Sequence, residues 1–285
     1  MFAQEITILK SADIAAYSTA IAAFKQGPFP PGTNLIEHDL QGDLNEGRKI
    51  GRKIRASNAK LVLAVGLKAA LAAKLEIIDI PVVYCMVLNP EKYDLLRPNM
   101  EGIDLGTPIN RQLDILHNLV PHMKRIGVLF DPSKTNGLVQ RARDLARDQG
   151  IHLLSKPVSS EKEVPDALRS LLPTIDTVWL VPDSTVITED SLEFLLSSSL
   201  EAKVPVVGFS SGLVRSGALL GLYVKYEDIG KQAAELVISI LKGKTIPIGT
   251  LHDPAQVRIA LNLKVAEYLK IEIPASMTRQ ADEVF

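Results

Sequence analysis

Serine, aspartate and asparagine residues that follow short apolar runs are the side chains here best placed to do chemistry. Gly208-Phe209-Ser210-Ser211-Gly212 has the G-x-S-x-G spacing of a hydrolase nucleophile elbow. An elbow also needs a helix directly after its serine, and Leu213-Val214-Arg215-Ser216 is cut off by Gly217. Asp228 and His252 follow in hydrolase order, but five scattered histidines make that order easy to meet by chance. A serine hydrolase built on Ser210 is therefore the least favoured reading, and no enzyme is expected. His38, His117, His122, His152 and His252 include no pair at i, i+3 or i, i+4, and Cys85 is the only cysteine. No metal site is expected from such a set. No P-loop and no G-x-G-x-x-G follows an apolar run, so no phosphate- or dinucleotide-bearing cofactor is expected either.

A set of polar turns remains: Ser11-Ala12-Asp13, Gly66-Leu67-Lys68, Leu88-Asn89, Asp131 through Asn136, Pro182-Asp183-Ser184-Thr185 and Ser210-Ser211. Taken singly, such residues cap helices. Taken together on facing rims, they suit a small polar ligand, because helix N-termini beyond the carboxyl ends of parallel strands present free N–H groups. Asp13 and Asp183 are candidates for a ligand ammonium or hydroxyl, and Ser11, Ser133 and Ser184 for a carboxylate. Gly66, Leu67, Asn89, Asp131, Asn136 and Ser210 complete the two rims. Tyr84, Phe130, Phe209 and Tyr223 are candidate apolar walls, although each also reads as core.

The elements that must position these turns alternate strand and helix almost throughout. Two segments repeat one another. Lys60–Val87 and Asp176–Gly208 each run apolar strand, turn, helix and strand, with a proline (Pro81, Pro205) just inside the second strand. Doubling of this kind implies two similar α/β lobes with a cleft between them. Asp43-Leu44-Asn45-Glu46 and Ser160-Glu161-Lys162-Glu163 have capping-box spacing. Ile229, Ala233, Leu236, Val237, Ile240 and Leu241 give Tyr226–Leu241 one apolar face, the clearest helix signal in the chain. Segment 87–100 reads as a loop, and Val257–Leu261 as the last strand. Continuous apolar strands separated by helices indicate parallel sheets covered on both faces. Two doubly wound sheets are expected, since one would exceed about ten strands.

Composition narrows the function class. With 285 residues, 46% hydrophobic content and a net charge of -1, the chain reads as two modest domains with no electrostatic case for nucleic acid. Arg48-Lys49-Ile50-Gly51-Arg52-Lys53-Ile54-Arg55 spaces its isoleucines four apart, as a solvated helix face does. No apolar run approaches the roughly 20 residues of a membrane helix.

The order of motifs resembles the solute-binding proteins of ABC importers, in the branch that includes tryptophan- and tyrosine-binding proteins. The resemblance rests on Ile80-Pro81-Val82-Val83, Asn110-Arg111-Gln112-Leu113, and Leu119 through Phe130 in the first half. It continues through Gly217-Ala218, Tyr226-Glu227-Asp228-Ile229-Gly230, Ile240-Leu241-Lys242-Gly243 and Asn262 through Ala266, ending at Ile273-Pro274. It implies a type I periplasmic-binding-protein fold: two lobes, 1–107 with 223–252 and 108–222 with 253–285, joined by three crossings. It also implies an extracytoplasmic location with a signal segment absent from this chain, an ABC permease as partner, a small-molecule solute and a monomer. An aromatic or branched amino acid is the first expectation for the solute; a sensing module of the same fold is the alternative. Where relatives show a hydroxyl residue after the third-strand glycine and Asp-Pro after the fourth strand, this chain has Leu67 and Asn89-Pro90, whereas Asn136 and Asp183 match the pattern.

Overall fold

The computed structural model describes residues 4–120, 123–245 and 249–285. Met1, Phe2 and Ala3, the motif residues Pro121 and His122, and residues 246–248 lie outside the described residues. The chain forms two compact units, Met1–Gly106 with Val224–Gln256 and Thr107–Tyr223 with Val257–Phe285. The third change of unit falls four residues beyond the boundary read from the sequence. Gln232 explains the delay: its Nε2 donates to the Asp253 carbonyl and its Oε1 accepts from the Ala255 amide, both at 2.9 Å, which ties that segment to the first unit.

The first unit holds a six-stranded parallel sheet. In chain order its strands are β1 (Glu5–Lys10), β2 (Asn34–Asp39), β3 (Ala59–Val65), β4 (Val82–Val87), β5 (Met100–Asp104) and β11 (Leu251–His252), lying in the order β11-β5-β4-β3-β1-β2. The pleat sends alternate residues to opposite faces. Val62 and Ala64 join one core cluster, while Leu61, Leu63 and Val65 join the other. Helices α2 (Leu44–Arg55) and α3 (Leu67–Glu76) cover the first face, and α1 (Ala15–Lys25) and α9 (Tyr226–Leu241) the second. Asp43 caps α2 by accepting from the Asn45 amide at 2.8 Å.

The second unit has seven strands: β6 (Arg125–Phe130), β7 (His152–Pro157), β8 (Thr177–Trp179), β9 (Val206–Gly208), β10 (Leu220–Tyr223), β12 (Arg258–Leu261) and β13 (Glu283–Val284). Their order is β13-β12-β10-β9-β8-β6-β7, with β12 antiparallel to β10 and every other pairing parallel. Helices α4 (Ile109–Leu119), α5 (Pro132–Asp148), α10 (Leu263–Leu269) and α11 (Ala275–Gln280) supply one core cluster; α6 (Val164–Leu171), α7 (Glu189–Glu201) and α8 (Ser211–Arg215) supply the other. Two doubly wound sheets, as the alternating pattern implies, are present.

The sequence repeat is a topological repeat. β3-α3-β4 and β8-α7-β9 occupy equivalent places in their sheets. The two prolines stand one residue outside their strands rather than inside them, because a proline has no N–H for the ladder. Each still contributes its carbonyl: Val62 donates to Pro81 and Val178 to Pro205, both at 2.9 Å. Other expectations are also corrected. Segment 87–100 includes a 3₁₀ turn, Pro90–Tyr93, and leads into β5. β5 escaped notice because Glu101 and Gly102 interrupt its apolar run; a Cβ on Gly102 would lie 2.0 Å from the Tyr84 ring. The Ser160 box does not close, since Ser159 and Ser160 both donate to Glu163 and 161–163 is 3₁₀. β12 is followed by α11 and β13, so it is not the last strand.

α9 lies close against α1 because Gly230 has no side chain. A Cβ there would stand 2.1 Å from the Ala20 carbonyl oxygen. Gly230→Ala should therefore cost about 1–3 kcal/mol of stability, measured as a lower urea midpoint with an unchanged slope; an unchanged midpoint would show that this seam yields freely.

Candidate functional site

In each sheet the chain steps one way from its first strand and then the other way for the rest, so one crevice opens where the order reverses. In the first unit that point lies between β1 and β3, and in the second between β6 and β8. Ligands of open α/β sheets bind outside the carboxyl ends of strands at such points. Four of the six turns singled out from the sequence follow these four strands; Leu88-Asn89 follows β4 and Ser210-Ser211 follows β9.

In the first unit, Ser11 is buried and its amide donates to the Val65 carbonyl at 2.9 Å, joining the ends of β1 and β3. Its Oγ accepts from the Ala69 amide at 2.9 Å, so a hydroxyl from the turn after β1 caps α3 from outside the helix. Gly66 precedes α3 with φ +87°, and a Cβ there would meet the Tyr17 hydroxyl and Ser11 Oγ within 2.7 Å. Only glycine fits that backbone and that space. The structure thus brings Ser11, Gly66, Leu67 and Tyr17 together; Tyr17, one turn into α1, was not singled out from the sequence. The Leu67 and Lys68 amides, at the first two positions of α3, have no acceptor among the described residues. Asp13 stands apart from this group. It is exposed, accepts from Lys10 Nζ at 3.1 Å and from Ser18 Oγ, and the Lys10 ammonium holds its carboxyl below the usual range. Asn89 is left-handed at φ 50°, capping the 3₁₀ turn after β4, and Leu88 beside it is exposed. Tyr84 and Phe130 are core residues, each buried in its own unit.

In the second unit, Asp131 and Asp183 are both buried, and their carboxylates are committed. Asp183 Oδ2 accepts from the Asp131 amide at 2.7 Å and from Thr135 Oγ1 at 2.6 Å, while its Oδ1 accepts from the Thr185 amide at 3.0 Å. Asp131 accepts from the Ser133 amide and hydroxyl and from Thr185 Oγ1. Donation from the Ser133 hydroxyl, then from the Thr185 hydroxyl, holds the Asp131 carboxyl below its ordinary range. Asp183 therefore knots two turns together, with three protein hydrogen bonds to its buried carboxylate. Thr135 and Thr185, which complete the knot, lie in the polar turns read from the sequence but had no role assigned there. Ser133, Asn136 and Ser184 are exposed around it, and Lys134 Nζ donates to Ser184 Oγ at 2.7 Å. Phe209 and Tyr223 are half-buried and pack against the same core cluster; burial, with the Glu283 carboxylate as second cause, pushes the Tyr223 phenol upward.

The hydrolase reading is corrected in one part. A five-residue helix, α8, does follow Ser210 directly. Ser210 nevertheless has an extended backbone, φ −153° and ψ 154°, and its Oγ accepts from the Leu213 amide as a helix cap. His252 lies against Glu101 in the other unit. Among the described residues no group of three or more His, Cys, Asp or Glu could hold a metal ion.

Asp183→Ala leaves three donors, two of them buried, without an acceptor and should cost about 2–4 kcal/mol, read by denaturant unfolding; a loss below 1 kcal/mol would deny the knot its structural role. Asp131 stabilises the fold above the usual carboxylate pKa and loses that contribution as the pH falls through its lowered value. Its carboxyl carbon shift should accordingly titrate below pH about 3.9, and a midpoint at or above that value would contradict the hydrogen bonding described.

Residues 34–285 match the family model described as ABC transporter substrate binding protein. The chain is 27% identical over 276 residues to the tyrosine-binding protein of Clostridioides difficile (strain R20291), an alignment covering 92% of this chain and 79% of that one. Among solved structures it is similar to the ligand-free, open form of a substrate-binding protein with adhesive properties from Clostridium difficile, with a TM-score of 0.80 at 24% identity over 99% of both chains. It is also similar to an ABC domain in complex with L-Trp from Streptococcus pneumonia, with a TM-score of 0.65 at 20% identity over 99% of both. These likenesses agree with the two doubly wound sheets in giving a type I periplasmic-binding-protein fold. On the family match across most of its length, the chain belongs to the ABC transporter substrate-binding proteins.

Proposed function

We propose that this chain is the extracytoplasmic solute-binding protein of an ABC importer. It captures a small polar solute, an aromatic or branched amino acid before others, by closure of its two units, and hands it to a membrane permease. The observation that carries this reading is the gathering of polar turns at the reversal point of each sheet. Relatives named for binding tyrosine or solved with L-Trp favour an amino acid. No described helix is long and apolar enough to cross a membrane.

On the first unit, the free Leu67 and Lys68 amides of α3 suit a solute carboxylate, favoured there by the helix dipole. Leu67 and Leu88 offer apolar contact, and Asn89 a polar edge. On the second unit, Ser133, Asn136 and Ser184 supply hydroxyl and amide partners. Asp131 and Asp183 hold those side chains in place rather than touching the solute. Capture needs no bond-breaking step, in keeping with a Ser210 hydroxyl that serves as a cap.

Thermal unfolding with each common amino acid tests the reading. A ligand present at 100 times its Kd stabilises by about 2.7 kcal/mol, a shift of several degrees, and aromatic or branched amino acids should give the largest shifts. No shift with any amino acid would overturn the solute class. Leu67→Asp, which puts a carboxylate where the solute's own should lie, should weaken binding about tenfold or more by calorimetry, with the melting temperature of the free protein little changed.

A further inference from the structure

The basic run in α2 is not accounted for by solute capture. α2 buries Gly47, Ile50, Gly51 and Ile54 against the first unit and exposes Arg48, Lys49, Arg52, Lys53 and Arg55. From residue 48 to residue 60 the sequence has six Lys and Arg and no Asp or Glu, in a chain whose net charge is -1. Three carboxylates answer those six cations. Glu76 takes Arg48 at 2.7 Å and Arg52 at 3.8 Å, Glu46 takes Lys49 at 3.0 Å, and Asp79 takes Arg55 at 3.8 Å. Lys53 and Lys60 have no acidic partner among the described residues. The patch is therefore a local excess of positive charge on a nearly neutral protein.

Two exposed apolar side chains neighbour its acidic partners Glu76 and Asp79 along the chain. α3 meets α2 through Ala72 and Glu76: a Cβ on Gly51 would lie 2.9 Å from Glu76 Cβ, and one on Gly47 would lie 2.9 Å from Ala72 Cβ. Leu75, next to Glu76, is 52% exposed, and Ile78, next to Asp79, is 56% exposed. These are the two most exposed large aliphatic side chains among the described residues. They lie at the end of α3, away from the Gly66 turn that opens it.

We infer that this face, the cationic side of α2 with Leu75 and Ile78, rests on an anionic lipid bilayer. Long Lys and Arg side chains reach phosphate groups while their stems lie along apolar surface, and two isolated aliphatic side chains enter between headgroups. A protein partner would want a pocket or an aromatic anchor at the centre of the contact. A nucleic acid would find no aromatic side chain on α2 to stack on and no use for Leu75 and Ile78. Contact through this face leaves the Gly66 end of α3 uncovered.

Co-sedimentation of the full chain with lipid vesicles tests the inference independently of solute binding. The protein should pellet with vesicles of mixed phosphatidylcholine and phosphatidylglycerol, but not with phosphatidylcholine alone, and should be released at high salt. Lys49→Glu with Lys53→Glu, two exposed positions outside the core, should lower the partition about tenfold or more with the melting temperature unchanged. Leu75→Ser with Ile78→Ser should also weaken it while leaving solute-induced stabilisation intact. Absence of pelleting with the mixed vesicles, equal pelleting with both vesicle types, or a double charge reversal that binds as the parent does, would each overturn it. The first of these is the outcome expected if the face instead meets an acidic protein.

Discussion

Parallel strands cannot be joined by tight turns, and that constraint shapes the rest of this structure. Each connection must cross over the sheet, which here means a helix everywhere but between β4 and β5, where a 3₁₀ turn serves, and helices on both faces require the strand order to reverse once. The reversal opens a crevice at the strand ends, between β1 and β3 in one unit and between β6 and β8 in the other. Backbone amides at the following helix starts point into that region without intrahelical partners. A place for a polar ligand thus follows from covering a parallel sheet on both faces, before any side chain is chosen.

The two units meet this constraint with different chemistry. The first uses small groups: Gly66 lets the backbone turn where a Cβ would strike Tyr17, and the Ser11 hydroxyl satisfies Ala69 while two amides stay open. The second uses buried charge. Asp131 and Asp183 accept six protein hydrogen bonds between them, which repays the desolvation of two carboxylates in a shared site. Neighbouring like charges are tolerable there because the donors around them are fixed. The turns after β6 and β8 are thereby tied to one another, and the exposed Ser133, Asn136 and Ser184 stand on that knot.

Periodicity made the fold legible, and it was least reliable where a side chain's partner decides its role. The strand–helix–strand repeat around Pro81 and Pro205 marked equivalent positions in two sheets, since continuous apolar runs and helix spacing are local properties. β5 was obscured by Glu101 and Gly102, whose reasons are tertiary: one accepts from Lys244 and His252, the other clears the Tyr84 ring. At the site, the turn positions were readable from residue type, but the use of each was not. An aspartate after a strand looks the same whether it faces a ligand or, as Asp183 does, accepts from Asp131, Thr135 and Thr185. Tyr17 was missed because nothing in its local spacing distinguishes it from helix residues that touch only core.

The third change of unit shows how such tertiary contacts serve function. After α9 the chain must return to the sheet of the first unit before it leaves for β12, and two anchors hold it there. Glu101, fully buried on β5, accepts from Lys244 at 2.9 Å and from His252 on the edge strand β11. Gln232 on α9 then clamps residues 253–255 from both sides of its amide group. A buried carboxylate held by a lysine and a histidine is costly to break and adds little net stability, so its value here lies in location. It fixes where the first unit ends. Under the closure proposed above, a connection whose anchored portion ends at a defined residue confines bending to the few residues beyond it.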